Sequence, residues 1–208
     1  VPQVYSVEIL GNQALLKLER LGLGARADWP ALARMLAQLH RHTGPRFGWE
    51  TDNWIGLAPQ KNVWSDDWVW FYRDYRLVPQ LEKAGLLKKA SPLLDGLNRF
   101  FENHEPAPSL LHGDLWSGNV GFTREGPVIF DPAVYYGDRE ADLAMTELFG
   151  GFPREFYAAY REAWPLDSGY VARKHLYNLY HLLNHLNLFG GGYRAQAEAT
   201  LGLLLRAF

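Results

Sequence analysis

The sequence predicts an α+β fold: a mainly helical body with a small β insert, preceded by a β-hairpin. Three observations predict it. Near the start, apolar residues flank a Gly11–Asn12 turn in VYSVEIL-GN-QALLKLERL. From residue 28 onward, most of the chain repeats its apolar residues at helical spacing. Between two such helical regions, short apolar runs enclose a polar, glycine-punctuated stretch, LLHGDLWSGNVGF, from Leu110 to Phe122.

In order along the chain, the first element is the hairpin, since Gly-Asn between two apolar runs is a tight-turn signal. ADWPALARMLAQLHRHTG then reads as a helix, with Asp28 as N-cap, Leu32, Met35, Leu36 and Leu39 in register, and Gly44 as the stop. A Trp- and Gly-rich loop, GPRFGWETDNWIGLAPQKN, follows. A longer helix is expected from about 66 to 84. SPLLDGLNRFFENH is expected to open a helix with Ser91 as N-cap and Pro92 in the first turn. SLLH and PVIFD read as brief strands around the polar stretch. Helices are expected at about 139–149, 153–163, 169–188 and 192–207. In the second of these, Pro153 opens the helix and Phe156, Tyr157 and Tyr160 pack on one face.

Composition narrows the function classes. With 208 residues, 48% hydrophobic, the chain can bury one or two cores. A formal net charge of -2 without a Lys/Arg block argues against nucleic acid or a membrane surface as partner. With no cysteine, disulfides, thiolate catalysis and Cys-based zinc sites are excluded within this sequence, which fits a cytoplasmic setting. VPQVYSVEIL has neither the basic nor the long apolar region of a signal peptide.

The polar stretch has a specific chemical logic. Phosphoryl transfer to an alcohol needs a carboxylate near the attacking hydroxyl and oxygen ligands for Mg²⁺. Asp114 and Asn119, with four residues between them, let one loop supply both. Asp131, closing the apolar run VIFD, adds another hard oxygen ligand from an adjacent turn. Each of the three alone reads as well as a turn residue; together, between short apolar runs, they read as a site.

HGDLWSGN resembles the catalytic loop of the aminoglycoside-phosphotransferase-like kinases, and FDPAVYYGDREADLAM resembles the segment that follows it in that group. Trp116 and the DPAxxYGxREADLAM form are similar to the fructosamine-3-kinase (ketosamine kinase) family in particular. NWIGLAPQKNVWSDDWVWFYRDYRLVPQL, GGFPREFYAAY and YHLLNHLNLFGGGYR extend the likeness over most of the chain from about residue 47.

The resemblance implies a protein-kinase-like C-terminal lobe over 22–208, with a catalytic loop at 110–122 and a metal-binding segment at 127–142. It implies ATP and Mg²⁺, Asp114 as general base toward the sugar hydroxyl, and Asn119 and Asp131 as metal ligands. His112 reads as loop support, or else as a second base. Asp142 reads as an acceptor for loop amides, or else as a helix-surface acid. Trp116 offers a flat face to a sugar–amine adduct, or else covers a local core.

In YHLLNHLNLFGGGYR, Asn184 and His185 are candidates for lining the acceptor pocket; the competing reading is a buried polar network. His181 and His185 are four apart, but lack the Glu of a zinc-protease helix.

The sequence shows no Gly-rich loop followed by a strand Lys. Residues 1–21 therefore read as the last strands of an N-terminal lobe and its hinge, with backbone near Glu19 and Leu21 meeting adenine. The phosphate-clamping front would lie upstream of Val1, or else the short form is the gene product and binds ATP weakly; the 208-residue chain alone is expected to be slow or inactive. The implied acceptor is a ketosamine, free or on a glycated protein lysine, phosphorylated at the 3-hydroxyl in deglycation. The alternatives are an aminoglycoside- or choline-type phosphotransferase, or a truncated pseudokinase acting as a binding module.

Overall fold

The computed structural model describes residues 1–206. The hairpin forms as β1 (Val4–Leu10) and β2 (Gln13–Leu18), paired antiparallel. Gly11 has φ of 65°, the positive value that a two-residue turn with Gly first requires. Val7, Ile9 and Leu16 are exposed, so the hairpin stands proud of the body.

The body begins with α1 (Trp29–His40), where Asp28 caps the Ala31 amide at 2.9 Å. The following loop contains a short hairpin, β3 (Asn53–Ile55) and β4 (Ala58–Gln60). Three-residue strands are too short for alternation to reveal them. Next comes one continuous helical run: α2 (Trp68–Tyr72), a π-helical turn (Arg73–Leu77) and α3 (Val78–Lys83). The wide turn carries Arg76 inward, where its guanidinium lies 4.7 Å from the Phe71 ring and 4.1 Å from the Tyr135 ring.

Ser91 is not an N-cap. α4 runs Leu87–Asp95 and holds Pro92 inside it. Leu86, Ala90, Leu93 and Leu94 are buried, so the apolar face starts a turn earlier than the Ser-Pro signal implies, and packing overrides it.

The β insert forms two separate ribbons. β5 (Ser109–Leu111) pairs with β8 (Tyr135–Gly137), while β6 (Val120–Thr123) pairs with β7 (Gly126–Ile129). SLL and PVI are therefore strands, but of two different ribbons. Four helices complete the body: α5 (Glu140–Leu148), α6 (Arg154–Ala163), α7 (Tyr170–Phe189) and α8 (Gly192–Leu205).

Two apolar clusters form. One joins Leu111, Ala133 and Tyr135 to α2–α4, α7 and α8. The other joins Leu115 and Ile129 to α1, Leu143 and α6. The polar stretch at 112–119 thus spans the seam between two cores. Leu115, fully buried, anchors it in the second; burying a leucine side chain contributes about 2 kcal/mol. No helix among the described residues is long and apolar enough to cross a membrane.

Candidate active site

The loop after β5 is shaped by backbone demands before any chemistry. Gly113 has φ of 82°, and a Cβ there would overlap the Ala133 carbonyl oxygen. Only glycine lets the loop pass so close to the chain that follows Asp131. The approach is locked by Ala133 N–H donating to His112 O at 2.8 Å. Two residues upstream, Asp131 has φ of 59°, a left-handed conformation that it alone adopts among the non-glycine described residues.

Asp142 holds the loop from beneath. Its Oδ2 accepts from the His112 amide at 2.7 Å and its Oδ1 from the Gly113 amide at 2.8 Å. Burial pushes its carboxyl up, but the His40 hydrogen bond, the nearby His40 and His112 and the Gly113 amide outweigh burial and hold it below the usual value.

His112 has both ring nitrogens committed to backbone. Nε2 lies 2.9 Å from Phe130 O, and Nδ1 receives the Asp114 amide at 3.3 Å. The tautomer with hydrogen on Nε2 satisfies both bonds. Burial lowers its pKa, which suits an uncharged imidazole. No ring nitrogen is left over for a second base.

Asp114 is half-buried, and its carboxyl is pushed up to about 6, first by burial and then by the charges of Asp131 and Asp142. Asn119 closes the loop: Nδ2 donates to Asp114 O at 2.8 Å and reaches Asp131 O at 3.5 Å. With its nitrogen turned inward, the side-chain oxygen of Asn119 has no protein donor among the described residues. That oxygen and the exposed Asp131 carboxylate are both hard donors, the type that suits a divalent cation such as Mg²⁺.

Trp116 is 40% exposed and belongs to neither apolar cluster. Its ring lies over Gly118, where a Cβ would overlap it. The ring thus rests against its own loop.

The chain matches the family model described as fructosamine kinase over residues 1–207. It is 48% identical over 198 residues to the "Probable ketoamine kinase" of Synechocystis, covering 92% of this chain and 67% of that protein. It is 45% identical to the Arabidopsis thaliana "Protein-ribulosamine 3-kinase, chloroplastic", covering 88% of this chain and 59% of that one.

The chain belongs to the fructosamine kinase family. That family consists of phosphotransferases acting on hydroxyl groups. A crystal structure of a putative fructosamine-3-kinase from Haemophilus somnus superposes with a TM-score of 0.89 at 32% identity, over 99% of this chain and 73% of that one. A choline/ethanolamine kinase family protein from Mesorhizobium loti shares the fold, with a TM-score of 0.61 at 14% identity over 98% of this chain and 72% of that one. The α+β architecture is therefore kinase-like, the class expected from the sequence, and such kinases use ATP with a divalent metal.

Within this fructosamine kinase fold, Glu19 and Leu21 line a cavity of about 690 Å³ with Gly24, Thr123, Glu125 and Val128. The Gly24 and Ala25 amides donate to Phe122 O at 3.2 and 3.1 Å, joining this strip to β6 and so to the loop that carries Asp114 and Asn119.

Asn184 and His185 sit elsewhere in the bonding pattern. Asn184 is buried and accepts from Gln80 at 3.2 Å, while Asn187 donates to Gln80 Oε1 at 2.7 Å. His185 lies in an aromatic group, 4.6 Å from Phe149 and 5.1 Å from Tyr193. Among the described residues, no hydrogen bond or ring contact joins either to Asp114.

Sequence reasoning missed His40. Its Nε2 meets Asp142 Oδ2 at 3.1 Å and its Nδ1 meets Tyr160 OH at 2.7 Å, and Arg139 donates to that hydroxyl at 3.2 Å. The available signal was position: His40 continues the Leu32–Leu36 stripe at four-residue spacing, so a polar residue stands in a core register.

Proposed function

We propose that this chain carries the catalytic body of an ATP- and Mg²⁺-dependent kinase that phosphorylates a hydroxyl of a ketosamine, the 3-hydroxyl of a fructosamine or ribulosamine adduct, on a small molecule or a protein lysine. The observation that carries the reading is the Asp114 carboxyl, raised to about 6 in a loop whose two preceding amides are held by Asp142. A base of that strength is mostly ionised near neutrality yet basic enough to take a proton. As the acceptor oxygen attacks the terminal phosphorus of ATP, Asp114 receives the hydroxyl proton and ADP departs.

Asn119 and Asp131 would hold Mg²⁺, which supplies charge neutralisation on the nucleotide phosphates. Asp142, His112 and Leu115 keep the base in place. The outward face of Trp116 is offered to the sugar–amine adduct. In this reading residues 1–21 are terminal strands and hinge of a nucleotide-binding lobe, and 22–208 the helical lobe. The cavity beside Glu19 and Leu21 supports an adenine site there. The ribulosamine kinase name of the Arabidopsis relative supports the acceptor. A phosphorylated adduct of this kind is unstable, so the outcome would be deglycation.

The test is ATP consumption with fructoselysine and ribuloselysine beside kanamycin and choline, for the wild type and Asp114→Asn. Phosphorylation of the ketosamines, slow from the 208-residue chain by itself and lost in Asp114→Asn, is expected. Preference for kanamycin or choline would overturn the acceptor assignment. Nucleotide binding without transfer to any acceptor would favour a pseudokinase.

A further inference from the structure

We infer that the β3–β4 hairpin is a clamp that positions the Asp131 arm, with Asn53 and Gln60 as its positioning residues; this rests on the divalent-cation reading of Asn119 and Asp131 above. The register Asn53↔Gln60 places both side chains on one face of the hairpin. That face meets the segment after Asp131, where residues 131–134 belong to no strand. Their carbonyls lack ladder partners, and the hairpin supplies donors instead. Asn53 Nδ2 donates to Val134 O at 2.7 Å, and Gln60 Nε2 donates to Ala133 O at 3.1 Å.

The clamp is itself fixed. Asn53 Oδ1 accepts from Gln60 at 2.9 Å and from Asn62 at 3.1 Å. Tyr180 OH donates to Gln60 Oε1 at 2.8 Å. Arg76 donates to Asn62 Oδ1 at 2.7 Å while its guanidinium lies on the Tyr135 ring. Gln60 is 2% exposed, and neither amide turns over without orphaning a buried partner.

What the clamp holds is the junction of the site. Ala133 bonds the loop that carries Asp114 through His112 O, and it stands two residues from Asp131. Asp131 has a positive φ, which a non-glycine residue keeps only where its surroundings impose it. Tension on the Ala133 and Val134 carbonyls therefore fixes where the Asp131 carboxylate stands relative to Asn119.

The experiment measures Mn²⁺ binding by electron paramagnetic resonance, with a non-hydrolysable ATP analogue present, in the wild type, Asp131→Ala, Gln60→Glu and Tyr180→Phe, each with a melting curve. Gln60→Glu keeps the side-chain shape but sets carboxylate oxygens against Ala133 O and Asn53 Oδ1. It is expected to weaken Mn²⁺ by about 10-fold or more without abolishing cooperative melting, and Tyr180→Phe by less. If Gln60→Glu does not fold, Tyr180→Phe carries the test, since it removes one oxygen and releases the Gln60 amide. Wild-type Mn²⁺ affinity in these variants, with binding lost in Asp131→Ala, overturns the clamp and leaves the metal reading standing. Unchanged binding in Asp131→Ala overturns the metal reading itself, and the clamp with it.

Discussion

His40 Nε2 stands 3.1 Å from Asp142 Oδ2, with both side chains out of solvent. The pair joins the end of α1 to the first turn of α5 and sits directly under the amides of His112 and Gly113. The hydrogen bonds run in one direction, from Arg139 to Tyr160, from Tyr160 to His40 and from His40 to Asp142. Every donor finds an acceptor when His40 carries its hydrogen on Nε2.

Asp142→Asn replaces an acceptor of three hydrogen bonds by a group that must aim N–H at another N–H. Leaving one of the two loop amides unpaired is expected to destabilise the protein by about 3 kcal/mol, read by urea unfolding at pH 7. The pH dependence follows from the lowered carboxyl. Its contribution is complete above the ordinary carboxylate pKa and is lost as pH falls through the lower folded value. The gap between the wild type and Asp142→Asn should therefore close in strong acid.

Asp114 behaves in the opposite sense. A carboxyl raised from 3.8 to about 6 is harder to ionise in the fold than in the unfolded chain. The folded state therefore loses roughly 3 kcal/mol as pH rises from 4 to above 6. Asp114→Asn is expected to be more stable than the wild type at pH 8, by up to that amount, and no more stable at pH 4. Unfolding curves at the two pH values check this. The same variant should lose about 10²–10⁴ in turnover.

The wild-type pH–rate profile should rise as Asp114 ionises, above the ordinary carboxylate value, because burial is the first cause of its raised pKa and stays when a cation neutralises Asp131. An acid limb near the ordinary carboxylate value would remove Asp114 from the role of base.

Gly113→Ala places a methyl group on the Ala133 carbonyl oxygen at a positive φ. It is expected to destabilise by more than about 2 kcal/mol and to separate Asp114 from Asp131. Gly126→Ala, also at positive φ but with open space around it, is the control for backbone strain alone.

Gly118→Ala collides with the Trp116 ring. Because that ring is 40% exposed, stability should change by less than about 1 kcal/mol, while tryptophan fluorescence shifts. If Trp116 supports the acceptor, Trp116→Ala and Gly118→Ala both raise KM for the ketosamine more than they lower kcat. Unchanged KM in both would remove Trp116 from the site.

Much of the fold was legible. Asp28 before an apolar stripe, Gly11–Asn12 between apolar runs and the long C-terminal periodicities each encode their own element in adjacent residues. Ser91–Pro92 misled because a local start signal lay inside a face already committed to the core by Leu86 and Ala90. β4 and β8, at three residues each, are too short for a period to show, and their partners lie in other segments.

Within the site, the residue types and spacing of Asp114, Asn119 and Asp131 name a hard-ligand, carboxylate-base chemistry without any coordinates, and Trp116 with the READLAM segment names the family. Those are properties of short stretches, which local sequence can hold. The support is different in kind. His40 reaches Asp142 across 102 residues and Tyr160 across 120, and Gln60 reaches Ala133 across 73. A histidine in a helical stripe or a glutamine in a loop has many possible partners. Only the packing of α1 on α6, and of β3–β4 against the 131–134 segment, chooses among them, because a buried polar group is satisfied by whatever the fold brings within 3 Å of it.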